Sequence, residues 1–164
     1  MHEETVAAAH ALAAAGLVTA FGHASYRDGE SFYITPPKPL GTLQPDETLS
    51  RVSLEDEELP AGAPGEAWVH WAIYHTRPDV GGICRAQPQT ATALGSAGVT
   101  ILPLHGQGAF LGREVPVFGD ARLVRDRAAG ESLAESLGDA GALMMRGNGA
   151  VAVGAHVGLA AARM

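Results

Sequence analysis

The stretch Gly82–Pro88, GICRAQP, closes a short apolar run with two polar side chains, Arg85 and Gln87, set two residues apart. In a strand that spacing puts both on one face. A guanidinium placed there clamps a carboxylate or an enolate oxygen through paired N–H donors, and a carboxamide orients a hydroxyl or a carbonyl. A divalent ion is poorly served by the pair. Zinc takes imidazole, thiolate or carboxylate, whereas arginine has no lone pair to offer and its fixed charge repels a cation. Cys84 reads as a buried small apolar residue. As the only cysteine it excludes an internal disulfide and any CxxC metal pair.

The elements that must hold such side chains can be read along the chain. Its 164 residues suffice for one domain with a full core. An Ala/Leu-rich helix is predicted over 3–15, stopped by Gly16. Strands follow at 22–27 and 31–35 around the turn Asp28-Gly29-Glu30, and Pro36, Pro37 and Pro39 then make a rigid loop carrying Lys38. Residues 48–54 alternate weakly as a strand, and the acidic run Glu55–Glu58 reads as a solvated loop. Glu66 opens a helix with an apolar stripe of Trp68, Val69, Ala72 and Ile73, ended by Pro78. Further strands are expected at 80–84, 99–104, 115–118, 142–145 and 151–153, with helices at 89–94 and 127–137. Short strands, some joined as hairpins, with helices between them argue for an α/β sandwich on a mixed or mostly antiparallel sheet. No glycine-rich nucleotide cradle follows a strand.

Composition narrows the partners. The net charge is −7, and Lys38 is the only lysine. Without grouped cations, nucleic acid and anionic membrane surfaces are disfavoured. No segment has the roughly 18 apolar residues of a membrane span, and the start MHEETVAAAH lacks the basic region of a signal peptide. A cytoplasmic protein is expected. The last residues, 157–164, read as a helix that is either short or cut.

The order of motifs resembles the class II aldolase/adducin family. It runs through Gly22-His23-Ala24-Ser25, Ile34-Thr35-Pro36, Glu66 with His70 four residues on, ICRAQP, LHGQGAFLG, an acid-capped helix and MMRGNGAVAVG. The resemblance implies a three-layer α/β/α sandwich around a central, mainly antiparallel sheet, and a homo-oligomer with sites at subunit interfaces. It implies lyase chemistry in which three histidines hold a metal beside a helix-opening glutamate that acts as ligand or proton carrier. At those three positions this chain has Arg85, Gln87 and Asn148. Only Glu66 matches.

The expectation is therefore a metal-independent carbon–carbon lyase without cofactor, acting through an enolate on a small carboxylate or hydroxy-carbonyl compound. Glu66 would carry the proton and Arg85 would hold the anion, as oxyanion holes do. Where sugar-phosphate members place hydroxyl and amide donors, this chain has His23 and Lys38, which favours a carboxylate over a sugar phosphate. His23, Lys38, Gln87, His105 and Asn148 would line the pocket. The competing expectations are an Arg85–Glu66 salt bridge across a dead pocket in an adducin-like scaffold domain, and a metal site rebuilt from His23, His70, His105 or His156.

Overall fold

The computed structural model describes residues 1–164. Its elements are α1 (His2–Ala14), β1 (His23–Asp28), β2 (Ser31–Ile34), β3 (Ser50–Ser53), α2 (Ala67–Thr76), β4 (Gly82–Ala86), α3 (Gln89–Ser96), β5 (Val117–Phe118), α4 (Arg127–Leu137), β6 (Ala142–Met145), β7 (Gly149–Gly154) and α5 (Val157–Arg163). The seven strands form one sheet in the order β3-β2-β1-β4-β7-β6-β5. Every pairing is antiparallel except β5 with β6.

Helices cover both faces. On one, α2 and α4 pack on Phe32, Ile34, Val52, Ile83, Leu143, Met145, Val151 and Val153. On the other, α1 and α5 pack on Ala24, Cys84 and Ala86, while α3 residues Ala91 and Leu94 meet Ala142, Met144 and Ala152. The period-2 alternation of strands is plain in β4. Ile83 joins the first layer and Cys84 the second. This is the three-layer sandwich on a mainly antiparallel sheet expected from the sequence. No helix is long and apolar enough to cross a membrane.

Several elements differ from expectation. Helix α2 has more than a stripe, because Ala67 through Tyr74 are all buried. The reason is α4, which lies across the side that a lone surface helix would show to water. Trp, Val, Ile and Tyr each cost up to ~0.7 kcal/mol in helix propensity, but burying a large side chain returns ~1.5–3 kcal/mol, so packing decides. Gly130 permits the close crossing, since a Cβ there would lie 2.6 Å from the Trp68 carbonyl oxygen. Gly82 does the same on the opposite face, where a Cβ would stand 2.1 Å from the Val157 nitrogen. The strand predicted over 99–104 shrinks to a single bridge between Ile101 and Val115, and 115–118 pairs fully only at Val117–Phe118. Strand β4 runs two residues further than expected, through Ala86. That extension brings Arg85 inside the ladder, opposite His23 on one side and Val151 on the other.

Candidate active site

Glu66 is the residue before α2. The Ala67 N–H donates to the Pro64 carbonyl at 2.8 Å, and the Glu66 side chain caps no backbone group. Its carboxylate is thereby free for other partners. It lines a cleft of about 360 Å³ together with Phe21, His23, Lys38, Pro64 and Arg125.

Arg85 lies beneath this cleft, not in its wall. It is only 2% exposed. Its Nη1 donates to the Phe21 carbonyl at 2.8 Å, and its Nη2 reaches Glu66 Oε2 at 3.2 Å and Oε1 at 3.4 Å. The Nε has no partner. The expected clamp facing an anionic guest is therefore not what the geometry presents. Strand alternation turns Arg85 under α2, and its two free ends are spent on Glu66 and on the chain before β1. The Arg85–Glu66 bridge is present, but as the floor of an open cleft.

His23 faces the same cleft while being 5% exposed. Its Nε2 is 3.8 Å from Glu66 Oε2, an ion-pair contact too long for a good direct hydrogen bond. Behind it runs a buried polar chain. His23 Nδ1 meets His70 Nε2 at 2.9 Å, His70 Nδ1 meets Ser25 Oγ at 2.7 Å, and Ser25 Oγ meets the Tyr74 hydroxyl at 2.8 Å. Two facts place these groups together. His23 and Ser25 share one face of β1, and His70 and Tyr74 lie four apart on one face of α2.

Burial acts first on every titrating group here. It pushes the Glu66 carboxyl up, but His23 and the Arg85 charge outweigh it and leave the carboxyl below its ordinary value. Burial pushes His23 down; Glu66 pulls it back only in part, and Arg85 pushes it further down. Burial lowers His70 well below the ordinary value, and His23 and Arg85 add to that. At neutral pH the cluster of Glu66, Arg85, His23 and His70 holds one carboxylate, one guanidinium and two neutral imidazoles.

The other candidates separate. Lys38 lines the cleft, with its ammonium 2.5 Å from Glu47 Oε2. Gln87, His105 and Asn148 are not among the lining residues. Gln87 follows the end of β4, and its backbone N–H donates to the Leu17 carbonyl. His105 is exposed beside a separate hollow with Phe110, Leu159 and Arg163. Asn148 Nδ2 donates to the Ala121 carbonyl at 2.9 Å and so braces a turn. His156 caps α5 and contacts Glu4 at 3.1 Å.

Sequence reading missed Arg125, which lines the cleft and has no carboxylate within ion-pair distance. It also missed the linkage of Ser25 and Tyr74 to the site. The period of β1 and α2 could have suggested Ser25 and Tyr74; nothing local marks Arg125.

The donor set does not suit a divalent ion. Glu66 is already bound to a guanidinium, both His70 nitrogens are engaged, and no group of three His, Cys, Asp or Glu side chains is arranged to hold a metal.

The chain matches the class II aldolase and adducin N-terminal domain over residues 3–164, and belongs to that family. It is similar to the 3,4-dihydroxyphthalate decarboxylase of Arthrobacter keyseri, at 29% identity over 78% of this chain and 58% of that protein. It is similar to the decarboxylase tropJ of Talaromyces stipitatus, at 26% identity over 93% of this chain and 66% of that one. The chain thus spans between half and two thirds of the length of these curated relatives. Among solved structures, the L-fuculose-1-phosphate aldolase of Thermus thermophilus superposes with a TM-score of 0.84 at 30% identity, covering 96% of this chain and 83% of that one.

Proposed function

We propose that this chain is the catalytic domain of a metal-independent lyase that breaks a carbon–carbon bond in a small carboxylic acid through an enolate, by decarboxylation or retro-aldol cleavage. One observation carries the reading. A carboxylate held below its ordinary pKa by His23 and a buried guanidinium opens into a cleft whose wall bears Arg125 and Lys38, the latter also paired with Glu47. Glu66 is the proton carrier. Arg85 acts through Glu66, fixing its position and charge, while Lys38 and Arg125 attract the substrate carboxylate. The relatives that carry the name decarboxylase support the same reading.

In decarboxylation the carboxylate departs as CO₂. The pair of electrons from the broken bond passes into the substrate's conjugated carbonyl or hydroxyl system, and one proton then adds at carbon. The developing charge lies in a cleft whose wall carries Arg125 and Lys38 and into which His23 faces. The reading also has the chain acting as a homo-oligomer, which the exposed Leu102, Leu104 and Phe110 support.

The test is CO₂ or carbonyl release from 3,4-dihydroxyphthalate and from small hydroxy- and keto-acids, using protein dialysed against EDTA. Turnover without added metal is expected, falling at least ~100-fold in Glu66→Gln, the scale of one lost acid–base group. Turnover that appears only with added zinc or manganese would reverse the metal-independent reading. Tight binding without turnover would favour a non-catalytic domain.

A further inference from the structure

The buried chain Tyr74–Ser25–His70–His23 has four hydrogens of its own when both imidazoles are neutral: one on each hydroxyl and one on each ring. It has three internal links, with a fourth contact from His23 Nε2 toward Glu66. Each link takes one hydrogen, so the direction of one link constrains the next.

Three arrangements fill every link. In one, Ser25 accepts from both Tyr74 and His70 Nδ1–H, which strands its own hydrogen and leaves His23 Nε2 bare. The other two run along the chain in a single direction. In the first of these two, Tyr74 donates to Ser25, Ser25 to His70 Nδ1, and His70 Nε2–H to His23 Nδ1. His23 is then left with its hydrogen on Nε2, toward the Glu66 carboxylate and the cleft. In the second, every arrow reverses. Tyr74 then needs another acceptor for its hydroxyl hydrogen, yet its oxygen has no hydrogen-bond partner except Ser25. His23 would also turn a bare lone pair toward a carboxylate. The first arrangement satisfies every donor; the second strands a buried one and sets two electron-rich atoms against each other.

We infer that Tyr74, Ser25 and His70 lock His23 in the Nε2–H tautomer, and that His23 Nε2–H donates a hydrogen bond to the oxygen of the enolate formed by bond cleavage, while Glu66 remains the proton carrier. The donor role rests on the lyase reading above; the tautomer lock does not. His23 keeps its hydrogen throughout: its Nε2–H bond to the enolate oxygen strengthens as negative charge builds there, and the proton that adds at carbon comes from solvent by way of Glu66. His23 is the catalytic residue. His70, Ser25 and Tyr74 are positioning residues, since their side-chain hydrogen bonds go only to one another and to His23.

Nitrogen-15 NMR of the histidine rings, on the full chain without ligand, reads the tautomers directly. His23 and His70 are both expected as Nε2–H. Ser25→Ala is expected to give a mixture at His70 and His23, and Ser25→Thr, which keeps the hydroxyl, to restore the wild-type pattern. Folding of each variant is checked by its melting curve. His23 found protonated on Nδ1, or a tautomer unmoved in a folded Ser25→Ala, overturns the lock. For the donor role, His23→Leu is expected to lower kcat about 100-fold with KM little changed; unchanged kcat overturns it. Absence of any lyase turnover in the wild type would remove the lyase reading and the donor role together, leaving the tautomer result to stand or fall alone.

Discussion

The two faces of β4 differ by a single residue step. On the α2 face, Ile83 is followed by Arg85, which lies under Glu66 with His23 beside it on β1. On the α1/α5 face, Cys84 is followed by Ala86, packed against Val157, Ala160 and the alanines of α1. The second face is held by small apolar surfaces whose contributions are nearly independent. The first is held by a charge pair and a hydrogen-bond chain, where each member depends on its neighbour. The same strand thus carries a tolerant side and an exacting one.

The comparison is broken most severely by Arg85→Ala. It leaves a half-buried carboxylate and the Phe21 carbonyl unpaired, and is expected to cost about 3–5 kcal/mol in urea unfolding. Gly130→Ala comes next. The added methyl would sit 2.6 Å from a backbone oxygen at the α2–α4 crossing, so about 1–3 kcal/mol of destabilisation is expected in the same measurement.

Acid separates the faces without mutation. His23 and His70 are neutral in the fold with lowered pKa, so the unfolded chain binds more protons than the folded one below the ordinary value of 6.5. Stability should therefore be full above pH 6.5 and fall as pH drops beneath it, by at most about 1.4 kcal/mol per pH unit for each histidine. Melting temperatures across pH 8 to 5 measure this. His70→Gln should flatten the slope, whereas Cys84→Ala should leave it unchanged.

Cys84→Ala itself is expected to have the smallest effect, about 1 kcal/mol. Burial pushes the Cys84 thiol up to about 12. In the native protein it should react with a thiol reagent only as fast as the fold opens, a rate that stopped-flow labelling can follow.

Much of the site was legible before folding, though unevenly. Glu66 was marked by its place at a helix start, and the facing of Arg85 by its spacing within a strand. The role of Arg85 was not legible. Spacing gives the face of a strand, but not what stands over that face, and here it is the head of α2. Asn148 and His105 were marked by turn motifs, whose local residues do not say which cleft a turn borders. The all-round burial of α2 was hidden for the same reason, since its second covering partner, α4, lies far along the chain.

The sequence by itself determined the element order, the alternation that divides β4 into two faces, and the presence of one acid at a helix start and one fixed cation in a strand. Those properties depend on residue type and on short-range backbone periodicity. Tertiary structure alone decided that Arg85 serves Glu66 rather than a guest, that Arg125 completes the cleft wall, and that four side chains from β1 and α2 join into one hydrogen-bonded line. Such pairings join residues more than forty positions apart, and only the packing of a helix onto a sheet brings them within hydrogen-bond reach.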